Sequence, residues 1–141
     1  MQNRDKIVEK ARSYLGVPWK HQGRTRMGID CAGLVVKVGE ELGLMAYDTT
    51  DYQRRVQGPG FLRHFRACMI EKAVGDAKPG DVMLFRDRQF PCHSTILGEK
   101  KGRLTIIHAH ALHRKVVEEE LEQGDWMQRR VACFSFPDVE E

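Results

Sequence analysis

Apolar residues recur at helical spacing in the first half of the chain, most clearly over residues 28–44. There the apolar positions follow at offsets of three, four, seven and eleven residues, which places them on one face of an α-helix. They are Cys31, Leu34, Val35, Val38 and Leu42. Asp30 is a suitable N-cap for this helix, and Gly43 is a suitable residue to end it. Similar stripes predict further helices over residues 3–16 and 61–73.

From Lys78 onwards the apolar runs shorten to strand length and are separated by glycine and proline turns. They predict strands over residues 81–85, 93–97, 104–110, 116–117 and 129–136. Gly98 is expected to end the second strand, and residues 100–102 to form a hairpin turn. The acidic stretch 118–122 is predicted to be a solvated turn or short helix.

Helices that precede a run of strands joined by short turns predict an α+β fold. In this fold the N-terminal helices, including the one that begins at Cys31, pack on a C-terminal antiparallel β-sheet. The chain of 141 residues is long enough for one hydrophobic core, so residues 1–141 are expected to form a single domain. Residues 45–60 are expected to form an irregular connector, and residues 138–141 a loose tail.

Composition and charge exclude several classes of function. The net charge of +3 is too small to indicate a nucleic-acid partner. No apolar run approaches the length of a membrane span, so none is expected. Residues 1–10 are charged throughout and lack the apolar core of a signal peptide, which predicts synthesis in the cytoplasm. The four cysteines form no C-x-x-C pair and are expected to be free thiols.

Cys31 is the candidate nucleophile because it falls in the first turn of the predicted helix. Unpaired backbone N–H groups and the helix dipole favour an anion at this position, so the thiol is expected to ionise readily. A cysteine on an apolar helix face is, however, more commonly a core residue. The remaining chemistry of the chain decides between the two interpretations.

Two of the six histidines stand where they can meet across a predicted hairpin. His93 begins one strand and His108 lies near the end of the next, so their side chains approach each other in an antiparallel pair. With Cys31 at that end of the sheet, the three side chains would form a nucleophile, a base and a group that orients the base. His110 shares a face with His108 and competes for the third role.

The chain resembles the NlpC-type family of papain-like cysteine peptidases, which cut bacterial cell-wall peptides. The matching segments are Tyr14-Leu15-Gly16-Val17-Pro18-Trp19, Gly28-Ile29-Asp30-Cys31-Ala32-Gly33-Leu34-Val35, Pro79-Gly80-Asp81-Val82-Met83-Leu84-Phe85, His93-Ser94-Thr95-Ile96-Leu97 and Ile107-His108-Ala109. Within this family the chain looks most like the phage-encoded branch associated with tails.

This resemblance implies a papain-like fold and a cysteine endopeptidase with Cys31 as nucleophile, His93 as base and His108 as the third member. It implies peptidoglycan stem peptides as substrate, cleaved between D-glutamate and a diamino acid, and no metal or cofactor. Other phage tail proteins are implied as partners, and the virion tail as the place from which the enzyme reaches the cell wall.

Four residues before or beside the nucleophile are candidates for substrate binding. The resemblance implies that Asp30 pairs with the free amine of a stem peptide, although its N-cap role is equally compatible with the sequence. Arg24 and Arg26 offer cations for substrate carboxylates, and Trp19 offers a stacking surface. Solvated loop charges are the ordinary interpretation of such arginines.

The chain departs from the family pattern at three places. Ala32 replaces a serine that often follows the nucleophile, and Trp19 replaces a tyrosine credited with helping the oxyanion site. Ser94 and Thr95 follow His93 where the family usually has a glycine. The Trp19 indole N–H donates at a different reach from a phenol, so that contribution to the oxyanion site is in question.

Three other functions are compatible with the same residues. One is a zinc-dependent amidase with Cys92, His93, His108 and His110 as ligands, which is weakened because adjacent strand residues point to opposite faces. The second is a papain-like acyltransferase or deamidase that uses the same triad on another substrate. The third is a tail-assembly component that keeps the fold without turnover.

Overall fold

The computed structural model describes residues 2–44, 59–87 and 90–140. The helices are α1 (Arg4–Arg12), α2 (Cys31–Glu41) and α3 (Pro59–Cys68), with short 3-10 turns at Val74–Asp76 and Met127–Arg129. The strands are β1 (Gln2–Asn3), β2 (Arg24–Thr25), β3 (Gly28–Ile29), β4 (Ile70–Lys72), β5 (Val82–Asp87), β6 (Phe90–Lys100), β7 (Arg103–His110), β8 (Lys115–Glu120), β9 (Arg130–Ser135) and β10 (Val139–Glu140). Most of the predicted connector, residues 45–58, lies outside the described residues.

Six strands form one antiparallel sheet in the order β4-β9-β5-β6-β7-β8. This confirms the predicted α+β fold. The small pairs β2-β3 and β1-β10 lie outside this sheet, and β1-β10 is parallel. The expectation of a loose tail was therefore wrong for Val139–Glu140, which pairs with the strand that precedes α1. Among the described residues, no helix is both long and apolar enough to cross a membrane.

The sheet separates two apolar clusters because successive side chains of a strand point to opposite faces. The larger cluster joins one face of the sheet to α1 and α2, and it includes Leu34, Val35, Ile96 and Ile107, all fully buried. A smaller cluster covers the other face around Phe85 and Trp126. The helix that begins at Cys31 therefore packs on one side of the sheet only.

The capping residues of the first two helices act as the sequence predicts. The Asn3 side chain accepts a hydrogen bond from the Lys6 N–H, 2.9 Å away, at the start of α1. The Asp30 side chain likewise accepts a hydrogen bond from the Gly33 N–H, 2.8 Å away, at the start of α2. After α2, Gly43 has a positive φ of 70°, a backbone conformation that favours glycine.

Several boundaries differ from the sequence prediction. The third helix ends at Cys68, and residues 70–72, predicted as helix, instead form β4 against β9. Strand β6 continues through Gly98, where an added Cβ would lie 2.7 Å from Thr105 Oγ1. Gly98 thus permits a close approach of side chains from the next strand and does not end β6.

The acidic stretch is the largest correction. Glu118, Glu119 and Glu120 belong to β8, not to a solvated turn. The Glu118 side chain is only 3% exposed; it accepts two hydrogen bonds from Arg12 at 3.0 Å and one from Thr105 at 2.7 Å. Burial opposes ionisation of this group, but its bonds to Arg12 and Thr105 hold the pKa of Glu118 below its usual value. Its partners therefore keep the carboxylate charged inside the structure.

Asp81 joins elements that are far apart in the chain. Its carboxylate is fully buried and lies 2.6 Å from the guanidinium of Arg4 in α1 and 2.8 Å from the ammonium of Lys72 in β4. It also accepts hydrogen bonds from the Lys78 N–H at 2.9 Å and from the Ser135 hydroxyl at 3.0 Å. The ion pairs and hydrogen bonds with these donors compensate for the hydration that the buried carboxylate has lost.

Removing this charge is expected to destabilise the protein. Asp81→Asn leaves Arg4 and Lys72 without their counter-ion, and breaking a buried ion pair costs about 3–5 kcal/mol. Both cations keep some exposure, so we expect the lower end of this range. The matched control is Glu71→Gln, which breaks an exposed pair with Arg66 and should cost under about 1 kcal/mol. Urea unfolding of both variants measures the difference, and equal losses would contradict the assignment.

Candidate active site

Cys31 is the first residue of α2, and the Asp30 carboxylate fixes the chain around it. One carboxylate oxygen accepts hydrogen bonds from the Gly33 N–H at 2.8 Å and from the Arg24 guanidinium at 3.0 Å. The other oxygen accepts from the Gln22 N–H at 2.8 Å. Asp30 is itself only 3% exposed. The cap therefore holds both the helix start and the loop that precedes it.

The Cys31 thiol lies against β6. It interacts with the backbone and the hydroxyl of Ser94, the residue that follows His93 in that strand. The start of α2 therefore packs against β6 at the residue that follows His93. Cys68 and Cys133 lie elsewhere, in α3 and β9, and both are free thiols.

The ionisation of Cys31 differs from the expectation. Burial, and after it the negative charge of Asp30, raise the pKa of this thiol to about 11, although the neighbouring backbone and hydroxyl of Ser94 act in the opposite direction. The prediction of an easily ionised thiol was therefore wrong for the free protein, because burial outweighs the position at the helix start. Cys31 is protonated at neutral pH and needs a base to become a nucleophile.

His93 and His108 form a hydrogen bond between neighbouring strands. His93 Nε2 lies 2.7 Å from His108 Nδ1, and His108 Nε2 lies 2.8 Å from a carboxylate oxygen of Glu119. The side chain of His108 is fully buried. Three titratable groups thus stand in one hydrogen-bonded row that begins at β6, crosses β7 and ends on β8.

The carboxylate at the end of this row determines where the protons lie. Ionised Glu119 can only accept, so His108 donates from Nε2 and keeps a lone pair on Nδ1. His93 must then donate from Nε2 to His108, which leaves its own Nδ1 as the basic nitrogen. Glu119 therefore sets the tautomer of His93 through an intervening imidazole.

The pKa shifts agree with a row of neutral imidazoles beside an ionised carboxylate. The hydrogen bond from His108 lowers the pKa of Glu119 to about 2, and the Trp126 side chain also hydrogen-bonds to this carboxylate and acts in the same direction. Burial lowers the pKa of His93 well below its usual value, and the neighbouring His108 lowers it further. Burial also lowers the pKa of His108, against the opposing effect of Glu119.

Strand register explains why these residues meet. His108 lies directly opposite Val117, and Ile106 lies opposite Glu119, so His108 and Glu119 are diagonal neighbours on one face. His110, two residues after His108, shares that face; its ring centroid lies 4.9 Å from that of His108. His110 and Glu119 therefore join the histidine pair as a consequence of strand alternation.

Trp126 covers this group of rings. Its ring centroid lies 5.8 Å from that of His93, 5.3 Å from that of His108 and 5.7 Å from that of His110. Trp126 is 7% exposed, and the guanidinium of Arg129 stacks over it at 4.7 Å. An indole placed in this way shields the histidine row from water.

Sequence reasoning missed Glu119 and Trp126. The sequence predicts Glu119 in a solvated turn, whereas extending the 116–117 strand by three residues puts it on the face of His108. No comparable signal pointed to Trp126, because the segment between β8 and β9 has no strand or helix period that would orient it.

The structure places the four predicted substrate-binding residues in two groups. Asp30 and Arg24 form the buried pair at the start of α2 described above. The backbone N–H of Trp19 donates to the Arg114 carbonyl at 2.9 Å, so the main chain of this residue lies beside the turn between β7 and β8, and its ring stacks on His21. All three lie at the end of the sheet where α2 begins.

Arg26 points away from this end of the sheet. Its guanidinium donates to the Ser13 carbonyl at 2.9 Å and stacks over the Tyr14 ring at 3.9 Å. It also lies 3.8 Å from the Glu41 carboxylate, which accepts a short hydrogen bond from the Tyr14 hydroxyl. These contacts favour a structural role for Arg26 between α1 and α2.

Three of the zinc ligands considered from the sequence lie together: the ring centroid of His93 is 4.9 Å from that of His108 and 5.5 Å from that of His110. The side chain of the fourth, Cys92, lies outside the described residues. Among the described residues, His108 and His110 also come together with Glu119, with donor atoms within 4.8 Å of one another. His93 is hydrogen-bonded to the buried end of this group through His108.

The fold is that of a known family of proteins. The family profile of the NlpC/P60 family matches residues 16–135. The chain therefore belongs to the NlpC/P60 family. A comparison with curated protein sequences gives no match.

Solved structures share this fold at low sequence identity. The NlpC/p60 domain of the peptidoglycan hydrolase SagA is 20% identical, with a TM-score of 0.67 over 95% of this chain and 99% of that domain. An NlpC/P60 family protein from Bacillus cereus is 17% identical, with a TM-score of 0.72 over 96% of this chain and 41% of its own. A lipoprotein-like NLP/P60 family protein from Staphylococcus aureus is 17% identical, with a TM-score of 0.68 over 98% of this chain and 42% of its own. The chain thus spans about two fifths of the latter two proteins.

The raised pKa of Cys31 predicts how its reactivity depends on pH. Alkylation requires the thiolate, whose fraction grows about tenfold per pH unit while the pH stays below a pKa of about 11. We therefore expect the rate of Cys31 alkylation by iodoacetamide to rise steadily between about pH 7 and pH 9.5. Peptide mapping separates Cys31 from the other cysteines, and circular dichroism confirms that the fold persists. A rate that is already constant from about pH 6 would instead indicate a preformed thiolate–imidazolium pair.

Proposed function

We propose that this protein is a cysteine peptidase that hydrolyses amide bonds in peptidoglycan stem peptides. In this proposal Cys31 is the nucleophile, His93 the base and His108 the residue that orients His93. The observation that carries it is the hydrogen-bonded row from His93 to Glu119, which starts one residue from the side chain that touches the Cys31 thiol. Membership of the NlpC/P60 family and the likeness to the SagA peptidoglycan hydrolase domain support the cell-wall substrate.

The first step is attack of the Cys31 sulfur on the amide carbonyl carbon. The thiol proton passes to His93 Nδ1 as the S–C bond forms, since Cys31 is protonated in the resting protein. The carbonyl π electrons move onto oxygen, and the resulting oxyanion is positioned to accept a hydrogen bond from the backbone N–H of Cys31. That N–H lies in the first turn of α2, where the helix dipole favours an anion.

Collapse of this intermediate breaks the C–N bond. His93 returns its proton to the departing amine and leaves a thioester on Cys31. A water molecule then attacks the thioester while His93 accepts one of its protons, and the released thiolate recovers that proton. The overall reaction consumes one water and yields one amine and one carboxylic acid.

His108 and Glu119 act through His93 as positioning residues. When His93 takes up a proton, it becomes an imidazolium that still donates from Nε2 to His108. The low pKa of Glu119 keeps a negative charge at the far end of the row, and this charge stabilises the imidazolium across His108. Burial under Trp126 strengthens this effect because little water screens it.

Substrate recognition is proposed for the end of the sheet where α2 begins. A stem peptide cleaved between D-glutamate and a diamino acid carries both carboxylates and a free amine. We propose that Trp19 stacks on the peptide and that the Asp30–Arg24 pair presents its charges toward it. The contacts of Arg26 with α1 make it the weakest of the four candidates.

An association with phage tails is also proposed, on the resemblance of the sequence motifs to that branch of the family. In that setting the protein would reach the cell wall as part of a tail and have other tail proteins as partners. Digestion of purified muropeptides by the isolated chain tests whether such partners are needed. Products that appear only after tail proteins are added would support the association, whereas full activity of the isolated chain would show that catalysis does not depend on it.

Substitution of the histidines is expected to separate their roles. His93→Ala removes the base and should lower turnover by about 10²–10⁴-fold, to the level of Cys31→Ala. His108→Ala removes only the orienting group and should leave measurable turnover. Mass spectrometry of muropeptide digests gives both rates, with cleavage after the γ-linked D-glutamate as the expected product. A His93→Ala variant that keeps normal activity would contradict the proposal.

We expect kcat to depend on the hydrogen-bond acceptor that Glu119 provides more than on the size of its side chain. Glu119→Ala removes the acceptor for His108 Nε2 and should lower kcat, whereas Glu119→Gln keeps an acceptor oxygen and should recover part of the rate. Glu120→Gln is the control, because Glu120 faces the other side of β8 and pairs with Arg103. Equal kcat values for the alanine and glutamine variants would contradict a positioning role.

A further inference from the structure

The histidine face of the sheet contains more metal-binding groups than the proposed reaction uses. His108, His110 and Glu119 each offer one donor atom, and these atoms lie within 4.8 Å of one another. His113 adds a fourth, because its Nε2 lies 3.4 Å from the same Glu119 oxygen that His108 contacts. In the mechanism above, His110 and His113 have no part.

The position of His110 points to a ligand. Its Nδ1 atom is buried and has no hydrogen-bond partner among the residues that the structure describes. Its ring centroid lies 4.9 Å from that of His108 and 4.8 Å from that of His113, so the three imidazoles surround one carboxylate. A buried polar atom without a partner is costly, and an ion bound between these groups would satisfy it.

We propose that His108, His110 and Glu119, with His113 as a fourth ligand, bind a divalent zinc-type cation that switches off the peptidase. Imidazoles and a carboxylate are ligands that Zn²⁺ takes in tetrahedral sites, at roughly 2.0–2.2 Å from the ion. Their donor atoms are already near one another, so small side-chain rotations would bring them to that distance. The His113 side chain is 49% exposed and gives an ion access from solvent.

The inhibitory effect follows from the tautomers of His108 and His93, and it rests on the proposed function. An ion that binds His108 Nε2 displaces the proton from that nitrogen, so neutral His108 must carry its proton on Nδ1. His108 then donates to His93 Nε2, and the His93 proton moves to Nδ1. The nitrogen that would accept the Cys31 proton is thereby occupied, with no net change in the charge of either ring.

The binding site is tested without reference to activity, by titrating Co²⁺ into the Cys31→Ala variant. We expect one equivalent to bind with the visible absorption of tetrahedral cobalt. His110→Ala and Glu119→Gln should each weaken this binding at least 10–100-fold, the loss typical even of groups that support a metal site from outside. Glu120→Gln is the matched control and should bind as the parent does. Thermal unfolding of each variant verifies the fold, and a lack of binding, or binding indifferent to both substitutions, would overturn the site.

Inhibition is tested on the otherwise unmodified chain with muropeptides. Zn²⁺ should lower the rate at least tenfold, and a chelator should restore it. His113→Ala should keep the metal-free rate and require at least tenfold more Zn²⁺ for half inhibition. Activation by Zn²⁺ would overturn the inhibitory role, and so would equal inhibition of both proteins, since the ion would then be acting elsewhere, for example on the Cys31 thiol. A metal-free chain that cleaves no muropeptide would contradict the proposed function, whereas the cobalt titration decides the metal site independently.

Discussion

The alternation of side chains across the six-stranded sheet is the constraint on which both the core and the site depend. In β6, Ser94 faces α2 and touches the Cys31 thiol, while Leu97 belongs to the cluster on the other side. In β7 the same alternation sends Ile107 to the helices and His108 to the opposite face. A slip of one residue in any of these strands would exchange the core and the site. The apolar residues under α2 therefore hold the histidines in register.

Electrostatic neutrality characterises the resting site. Burial raises the pKa of Cys31 and lowers the pKa of His93, so both groups are uncharged at neutral pH. The charge needed to stabilise a protonated base is held two groups away, on Glu119. The raised pKa keeps the Cys31 thiol protonated at neutral pH and therefore less prone to side reactions.

Two buried carboxylates hold the framework around this site. Asp81 ties α1 and β4 to β5 through Arg4 and Lys72. Asp30 ties the loop before the nucleophile to α2 through Gln22 and Arg24. Both would be unfavourable without their donors. Asp81 sits where segments distant in the chain meet, whereas Asp30 joins neighbouring segments. These charged residues therefore stabilise the fold, although the net charge of the protein is small.

The sequence by itself determined the local features of the protein. The apolar stripe and the Asp30 cap predicted α2 with Cys31 in its first turn, and the spacing of His93 and His108 predicted that they meet across a hairpin. Such features depend on periods of a few residues, which a sequence displays directly. The family motifs likewise lie in short segments, and the NlpC/P60 match over residues 16–135 covers all of them except Tyr14 and Leu15.

Only the tertiary structure decided what surrounds these residues. Glu119 became part of the row because β8 runs three residues further than its apolar pair indicates, and pairing with β7 outweighs the poor strand propensity of glutamate. The pKa of Cys31 depends on how deeply the start of α2 is buried against β6, which no local pattern records. Trp126 reached the histidines through packing between distant segments. Burial and long-range contact are properties of the folded chain, so the sequence predicted candidate site residues but not their electrostatics.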